Sequence, residues 1–169
     1  MRNTIFIHGL ESSGRGFKGS LLRKIFPEIL TPDFEPNSSN FSFKSLLEKR
    51  MLQLEAILND KENWIIIASS FGGLMGTLYT LNHSKKVKVL ILLAPFFGAS
   101  LLNPTTYQQV DVPIVVFHGK NDSTASIEQS KLITNMLFSN LEYNSVDDDH
   151  FLHITVQKIN WIKLIEKYK

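Results

Sequence analysis

The sequence contains no cysteine. Disulfide cross-links, thiolate nucleophiles and cysteine-ligated metals are therefore excluded. A strong excess of either charge is also missing: 18 Lys and Arg stand against 16 Asp and Glu in 169 residues, a formal net charge of +2 at pH 7. Nucleic-acid binding usually shows as a clustered basic excess, so nucleic acid is not an expected partner. The lysines near the C-terminus, Lys158, Lys163, Lys167 and Lys169, have the spacing of a solvated helix face. No apolar run is long enough to span a membrane; the longest, Val89 to Phe97, contains Pro95 and is roughly half of a span. Met1 to Thr4 leads at once into a β-like segment, without the apolar stretch of a signal peptide, which gives a cytoplasmic location as the expectation. No pair of histidines has metal-ligand spacing on one helix, and neither a metal nor a cofactor is expected.

What is present is an ordinary globular composition, 43% hydrophobic and 20% charged, in a length that one domain over residues 1–169 would use to bury a sizeable core. Short apolar runs alternate with helical patterns. Strands are expected at Thr4–Ile7, Ile29–Thr31, Trp64–Ala68, Val87–Leu93, Pro113–His118 and Leu141–Val146. Helices are expected at about Phe17–Phe26, Ser42–Leu58, Gly72–Leu81, Ser126–Phe138 and Leu152–Glu166. In the second of these, Leu47, Met51, Leu54 and Leu58 recur on one face. The alternation predicts an α/β fold, a three-layer arrangement of about six mostly parallel strands with helices on both faces. Ala94–Val112, between the fourth and fifth strands, is too short for a cap domain. Its residues Phe96 and Phe97, with Leu101 and Leu102, either line an acyl-binding pocket or pack the sheet edge.

The most informative segment is Ala68-Ser69-Ser70-Phe71-Gly72-Gly73, which joins an apolar strand to a helix. A serine at the apex of a sharp strand-to-helix turn, with small residues two before and two after, is the pattern of a nucleophile elbow. Centring on Ser70 puts Ala68 and Gly72 at those positions, whereas centring on Ser69 puts Ile67 and Phe71 there. Ser70 is therefore the candidate nucleophile. In a parallel sheet, ligands gather at the carboxyl ends of the strands, and three further clusters fall there: His8-Gly9, Asp122 and His150. A serine hydroxyl needs a base to take its proton, a role open to His150. Asp122 would orient and stabilise that imidazole. The backbone N–H groups of Leu10 and Phe71 are the candidate oxyanion donors. The competitors are His153, expected inside the last helix, and Asp111, at the wrong end of its strand. His8 reads as a loop organiser, and His118 as a packed or capping residue.

With the order Ser70, Asp122, His150, the chain resembles the α/β-hydrolase superfamily. Within it, the likeness is to small, lidless bacterial esterases of the YqiA type. The residues that carry it are His8-Gly9-Leu10-Glu11-Ser12-Ser13, Ser69-Ser70-Phe71-Gly72-Gly73, Gly119-Lys120-Asn121-Asp122 and His150-Phe151. The resemblance implies a serine esterase or thioesterase acting on a small-molecule ester or thioester through an acyl-enzyme on Ser70. A non-catalytic binding protein, an acyltransferase and a lyase are the alternatives on the same site. Two departures stand out, Ala68 where glycine is common and Asp147-Asp148-Asp149 before His150. The acidic run either favours a charged imidazole or is a solvated turn.

Overall fold

A computed structural model describes residues 3–168 of the chain. Among them, five strands form one sheet: β1 (Thr4–Ile7), β2 (Trp64–Ser69), β3 (Val87–Leu93), β4 (Ile114–Gly119) and β5 (Leu141–Val146). They lie side by side in chain order, and every neighbouring pair is parallel. Parallel neighbours need a crossover. Helices α1 (Phe17–Ile25) and α2 (Phe43–Leu58) connect β1 to β2, α3 (Phe71–Asn82) connects β2 to β3, and α4 (Ile127–Leu137) connects β4 to β5. The β3–β4 crossover is a loop with one 3₁₀ turn at Pro104–Thr106, and no inserted cap domain. Helices α5 (His153–Lys158) and α6 (Trp161–Glu166) follow β5. No helix among the described residues is long and apolar enough to cross a membrane.

Side chains alternate between two cores, as a sheet covered on both faces requires. Ile5, Ile7, Ile66, Ala68, Leu90 and Leu92 face one core, shared with α2, α3 and α4. Phe6, Ile65, Ile67, Val89 and Ile91 face the other, shared with α1, α5 and α6. The edge strand β5 is only partly buried. The helix starts follow from local chemistry: Ser42 accepts a hydrogen bond from Ser45 N, and Ser126 from Gln129 N, each satisfying a donor that the first helical turn leaves free.

Two expectations need correction. Ile29–Thr31 is not a strand but an isolated parallel bridge, Ile5 to Leu30. Leu30 N donates to Thr4 O, and Phe6 N donates to Leu30 O. The next donor in a parallel ladder would be residue 32, and Pro32 has no N–H. The expected helix Leu152–Glu166 is two helices. Asn160 restarts the chain by accepting from Lys163 N at 3.1 Å, while the indole of Trp161 donates to Val156 O at 2.8 Å.

The bridge at Leu30 has a topological consequence. The chain moves outward from β1 to Leu30 through α1, then returns over β1 to β2 through α2. Right-handed crossovers in opposite directions put the two helices on opposite faces of the sheet. The carboxyl ends of β1 and β2 are thus where the winding direction reverses, the place where open α/β sheets leave a crevice for ligands.

Candidate active site

Ser70 sits at that crevice, at the turn from β2 into α3. Its backbone has φ 54° and ψ −119°, a region in which an L residue is strained by about 1–3 kcal/mol. The surroundings enforce it. Ser70 N donates to Leu93 O at 3.0 Å, and Ser70 O accepts from Gly73 N and Phe96 N at 2.8 and 3.1 Å. The small residues expected around the serine have visible causes. A Cβ at Gly72 would lie 2.4 Å from Ile7 O and 2.5 Å from His8 O, because α3 begins directly against the end of β1. Ala68 is fully buried, and a Cβ at Gly76 would come within 3.1 Å of its own Cβ. Alanine is therefore small enough for this elbow.

The hydroxyl of Ser70 is 2.9 Å from His150 Nε2, and His150 Nδ1 is 2.8 Å from Asp122 Oδ2. A carboxylate can only accept here, so Nδ1 carries the proton and Nε2 is free to accept from Ser70. The carboxylate is completely buried, while the imidazole retains 13% exposure. Asp122 Oδ1 accepts from the backbone N–H groups of Thr124 and Ala125, both at 2.8 Å. Burial by itself would raise the pKa of Asp122, but the donors from Ala125, His150 and Thr124 outweigh it and hold the carboxyl below its ordinary value. The group is an anion at neutral pH.

A second imidazole meets the same carboxylate. His118, at the end of β4, is fully buried, and its Nε2 is 3.1 Å from Asp122 Oδ2 and 3.1 Å from Ala125 O. Two acceptors on one nitrogen mean that Nε2 is protonated. Nδ1 lies 3.0 Å from the hydroxyl of Tyr143, which in turn is 3.0 Å from Ser130 Oγ. Burial lowers the pKa of His118 against the opposing pull of Ala125 O and Asp122, so the ring stays neutral.

On the other side of Ser70, the loop after β1 is held from beneath. Phe34 N donates to His8 Nε2 at 3.0 Å, so Nδ1 is the protonated nitrogen and donates to Gly9 O at 2.8 Å. Arg50 of α2 is buried without a carboxylate in contact. Its Nε donates to Glu35 O at 2.7 Å, Nη1 to Gly9 O at 3.3 Å and Nη2 to Leu10 O at 3.1 Å. The guanidinium also lies 5.5 Å from the ring centre of Phe71. In a trans peptide, C=O and N–H point in opposite directions. Gripping Gly9 O therefore turns the N–H of Leu10 away from Arg50. Leu10 lines the cavity in front of Ser70, and Phe71 begins α3, where an N–H has no intrahelical acceptor.

That cavity is about 610 Å³, and Ser70 and His150 line it. Six phenylalanines stand on its wall: Phe6, Phe17, Phe43, Phe71, Phe96 and Phe151. Phe96 lines the cavity, and its backbone N–H donates to Ser70 O. Phe97 needs correction. It is 4% exposed and packs in the core shared with α2, α3 and α4 rather than lining the cavity. His153 lines the cavity, its ring tilted 42° against that of Phe17 at 4.3 Å, and it is His150 that bonds both Ser70 and Asp122. The acidic run also resolves. Asp148 Oδ2 accepts from Thr155 N and Thr155 Oγ1, and its Oδ1 from Asp149 N. Asp149 accepts from Phe151 N, and Asp147 from Asn121 Nδ2. The carboxylates build the turn that carries His150, while both nitrogens of its ring are taken by Asp122 and Ser70.

Sequence reading missed Arg50, and missed the contact of His118 with Asp122. A signal for Arg50 existed: Leu47, Arg50, Leu54 and Leu58 lie at i, i+3, i+7 and i+11, so a charge sits on the apolar stripe of α2.

No protein-family model matches the chain, and a search of curated proteins gives no match. Solved structures do match. The α/β hydrolase domain-containing protein 10 from mouse is similar over 98% of this chain and 90% of its own, with a TM-score of 0.79 at 15% identity. A putative hydrolase of the α/β superfamily from Xanthomonas campestris covers 99% of both chains, with a TM-score of 0.78 at 19% identity. Est1E from Butyrivibrio proteoclasticus, solved with ferulic acid bound, matches all of this chain and 90% of its own, with a TM-score of 0.72 at 13% identity. A parallel sheet wound in this way, similar to these structures over nearly its whole length, has the fold of the α/β-hydrolase superfamily.

Proposed function

We propose that the protein is a serine hydrolase that cleaves a carboxylic ester or thioester through an acyl-enzyme on Ser70. The observation that carries this reading is the continuous chain Ser70 Oγ to His150 Nε2 to Asp122 Oδ2, at 2.9 and 2.8 Å, on the wall of an open cavity. Ser70 Oγ attacks the carbonyl carbon as its proton passes to His150 Nε2. Asp122, ionised and buried, stabilises the imidazolium without taking its proton. The carbonyl oxygen becomes an oxyanion and accepts from the N–H groups of Leu10 and Phe71, whose orientation is set before substrate arrives. His150 then gives the proton to the leaving alkoxide or thiolate, and the acyl group stays on Ser70. Water repeats the sequence, releasing the acid and restoring the serine hydroxyl.

Arg50 and His8 are positioning residues in this scheme, since both hold Gly9 O and neither touches the reacting atoms. Asp148 and Asp149 accept hydrogen bonds within their own turn and leave the imidazole to Asp122 and Ser70, which supports the catalytic reading over a site acting only in binding. The likeness to small esterases of the YqiA type belongs to the same reading. The test is a fluorophosphonate probe followed by peptide mass analysis. The expected result is a single adduct on the peptide containing Ser70, absent in Ser70→Ala. An unlabelled wild type, or a label that persists in Ser70→Ala, overturns the reading.

A further inference from the structure

We propose that Lys18 is a recognition point for a carboxylate carried by the substrate, so that the site takes esters or thioesters that join a large apolar or aromatic body to one carboxylate. This rests on the hydrolase reading of Ser70 and adds a substrate class to it. The size of the cavity comes first. About 610 Å³ is in the range of pockets that enclose a drug-sized ligand, far more than an acetyl ester fills. Its phenylalanine walls suit an apolar or aromatic body.

Lys18 is the one lysine or arginine on that wall. It is the second residue of α1 and partly buried. Among the described residues, its ammonium group has no hydrogen-bond acceptor and no ion pair. The nearby carboxylates of Asp148 and Asp149 attract it from a distance, but their oxygens are committed to Thr155, Asp149 N and Phe151 N. Burial lowers its pKa to about 8 against that attraction, so it is still a cation at neutral pH. A partly desolvated cation without a contacting partner is costly. A ligand carboxylate supplies the partner and recovers part of that cost through charge-assisted hydrogen bonds. The charge count favours a monoanion. One ammonium group, with two carboxylates close by, would hold a phosphate dianion poorly. Glu11, also on the wall, is exposed and bonded to Asn37.

The test uses two pairs of esters that differ only in carboxylate against primary amide. In one the group is on the leaving side, 4-acetoxybenzoate against 4-acetoxybenzamide. In the other it ends the acyl chain, the monophenyl ester of octanedioic acid against its amide. Calorimetric titration of Ser70→Ala reads binding without turnover, and kcat/KM of the wild type reads turnover. In at least one pair the acid is expected to bind about tenfold more tightly than the amide, and the wild type is expected to prefer the same member. Adding Lys18→Met should remove the difference, and Lys18→Arg should keep it. A melting curve on each variant verifies folding. Equal binding of acid and amide in both pairs, or a preference that survives Lys18→Met, overturns the proposal. Acid-selective binding that depends on Lys18, with no turnover of any ester, would overturn the hydrolase reading and leave the carboxylate site standing.

Discussion

The dipeptide His-Gly closes two strands of the sheet, β1 at His8-Gly9 and β4 at His118-Gly119. Both imidazoles are fully buried, and burial lowers the pKa of both. Each stands behind a loop that flanks Ser70, yet the two rings carry opposite tautomers. His8 donates from Nδ1 to a backbone carbonyl because Phe34 N occupies Nε2, whereas His118 donates from Nε2 because two acceptors face that nitrogen. One ring orients a peptide, and the other orients a carboxylate. The same two letters do different work because the tautomer is chosen by what packs against the ring.

The two sides should differ in how much rate they control. Asp122→Asn should be the largest single loss on the β4 side, about 10⁴-fold in kcat, because the amide no longer fixes the His150 tautomer. Steady-state kinetics on an activated ester measure it. On the β1 side, Arg50→Met should cost about 10²–10³-fold in kcat, with a smaller change in KM, as expected when one oxyanion donor loses its aim. A loss of kcat as large as that of Asp122→Asn would break the comparison. A rise in KM alone would remove Arg50 from the positioning role.

The histidines come next. His118→Leu should lower kcat by about tenfold, the worth of one charge-assisted hydrogen bond to Asp122. His8→Gln should lower it less, since Arg50 still holds Leu10 O and Glu35 O as well as Gly9 O, carbonyls that His8 does not reach. Both variants should lose about 1–2 kcal/mol in urea unfolding, because each leaves buried polar partners unsatisfied. Equal kinetic effects would mean that the two rings are interchangeable supports.

The smallest expected effect is on stability against pH. Both rings have folded pKa values below the ordinary 6.5, so the unfolded chain binds their protons first as pH falls. Their contribution is complete above about 6.5 and is lost progressively below it. The lowered carboxyls of Asp122 and Asp148 contribute above their unfolded value and lose that contribution only at more acidic pH. Urea midpoints between pH 8 and pH 5 should therefore decline below pH 6.5, and decline less in either histidine variant. A flat profile in the wild type would mean that neither ring is held neutral.

Much of this molecule is readable from neighbours in the chain. The apolar runs of β1 to β4 and the stripe Leu47, Leu54, Leu58 are periodicities imposed by backbone geometry. Ala68 and Gly72 mark Ser70 because the steric limits of a tight turn act over two residues. Even the failure of Ile29–Thr31 to extend was written in Pro32. Tertiary structure decided what depends on partners distant in sequence. Asp122 meets His150 across 28 positions, and Arg50 reaches Gly9 and Leu10 across about forty. Asp148 is turned to Thr155, Phe97 goes to the core while Phe96 faces the cavity, and among the described residues Lys18 stands without a contacting partner. Hydrogen bonds and desolvation act over about 3 Å, and no local pattern encodes which side chains packing will bring within that distance.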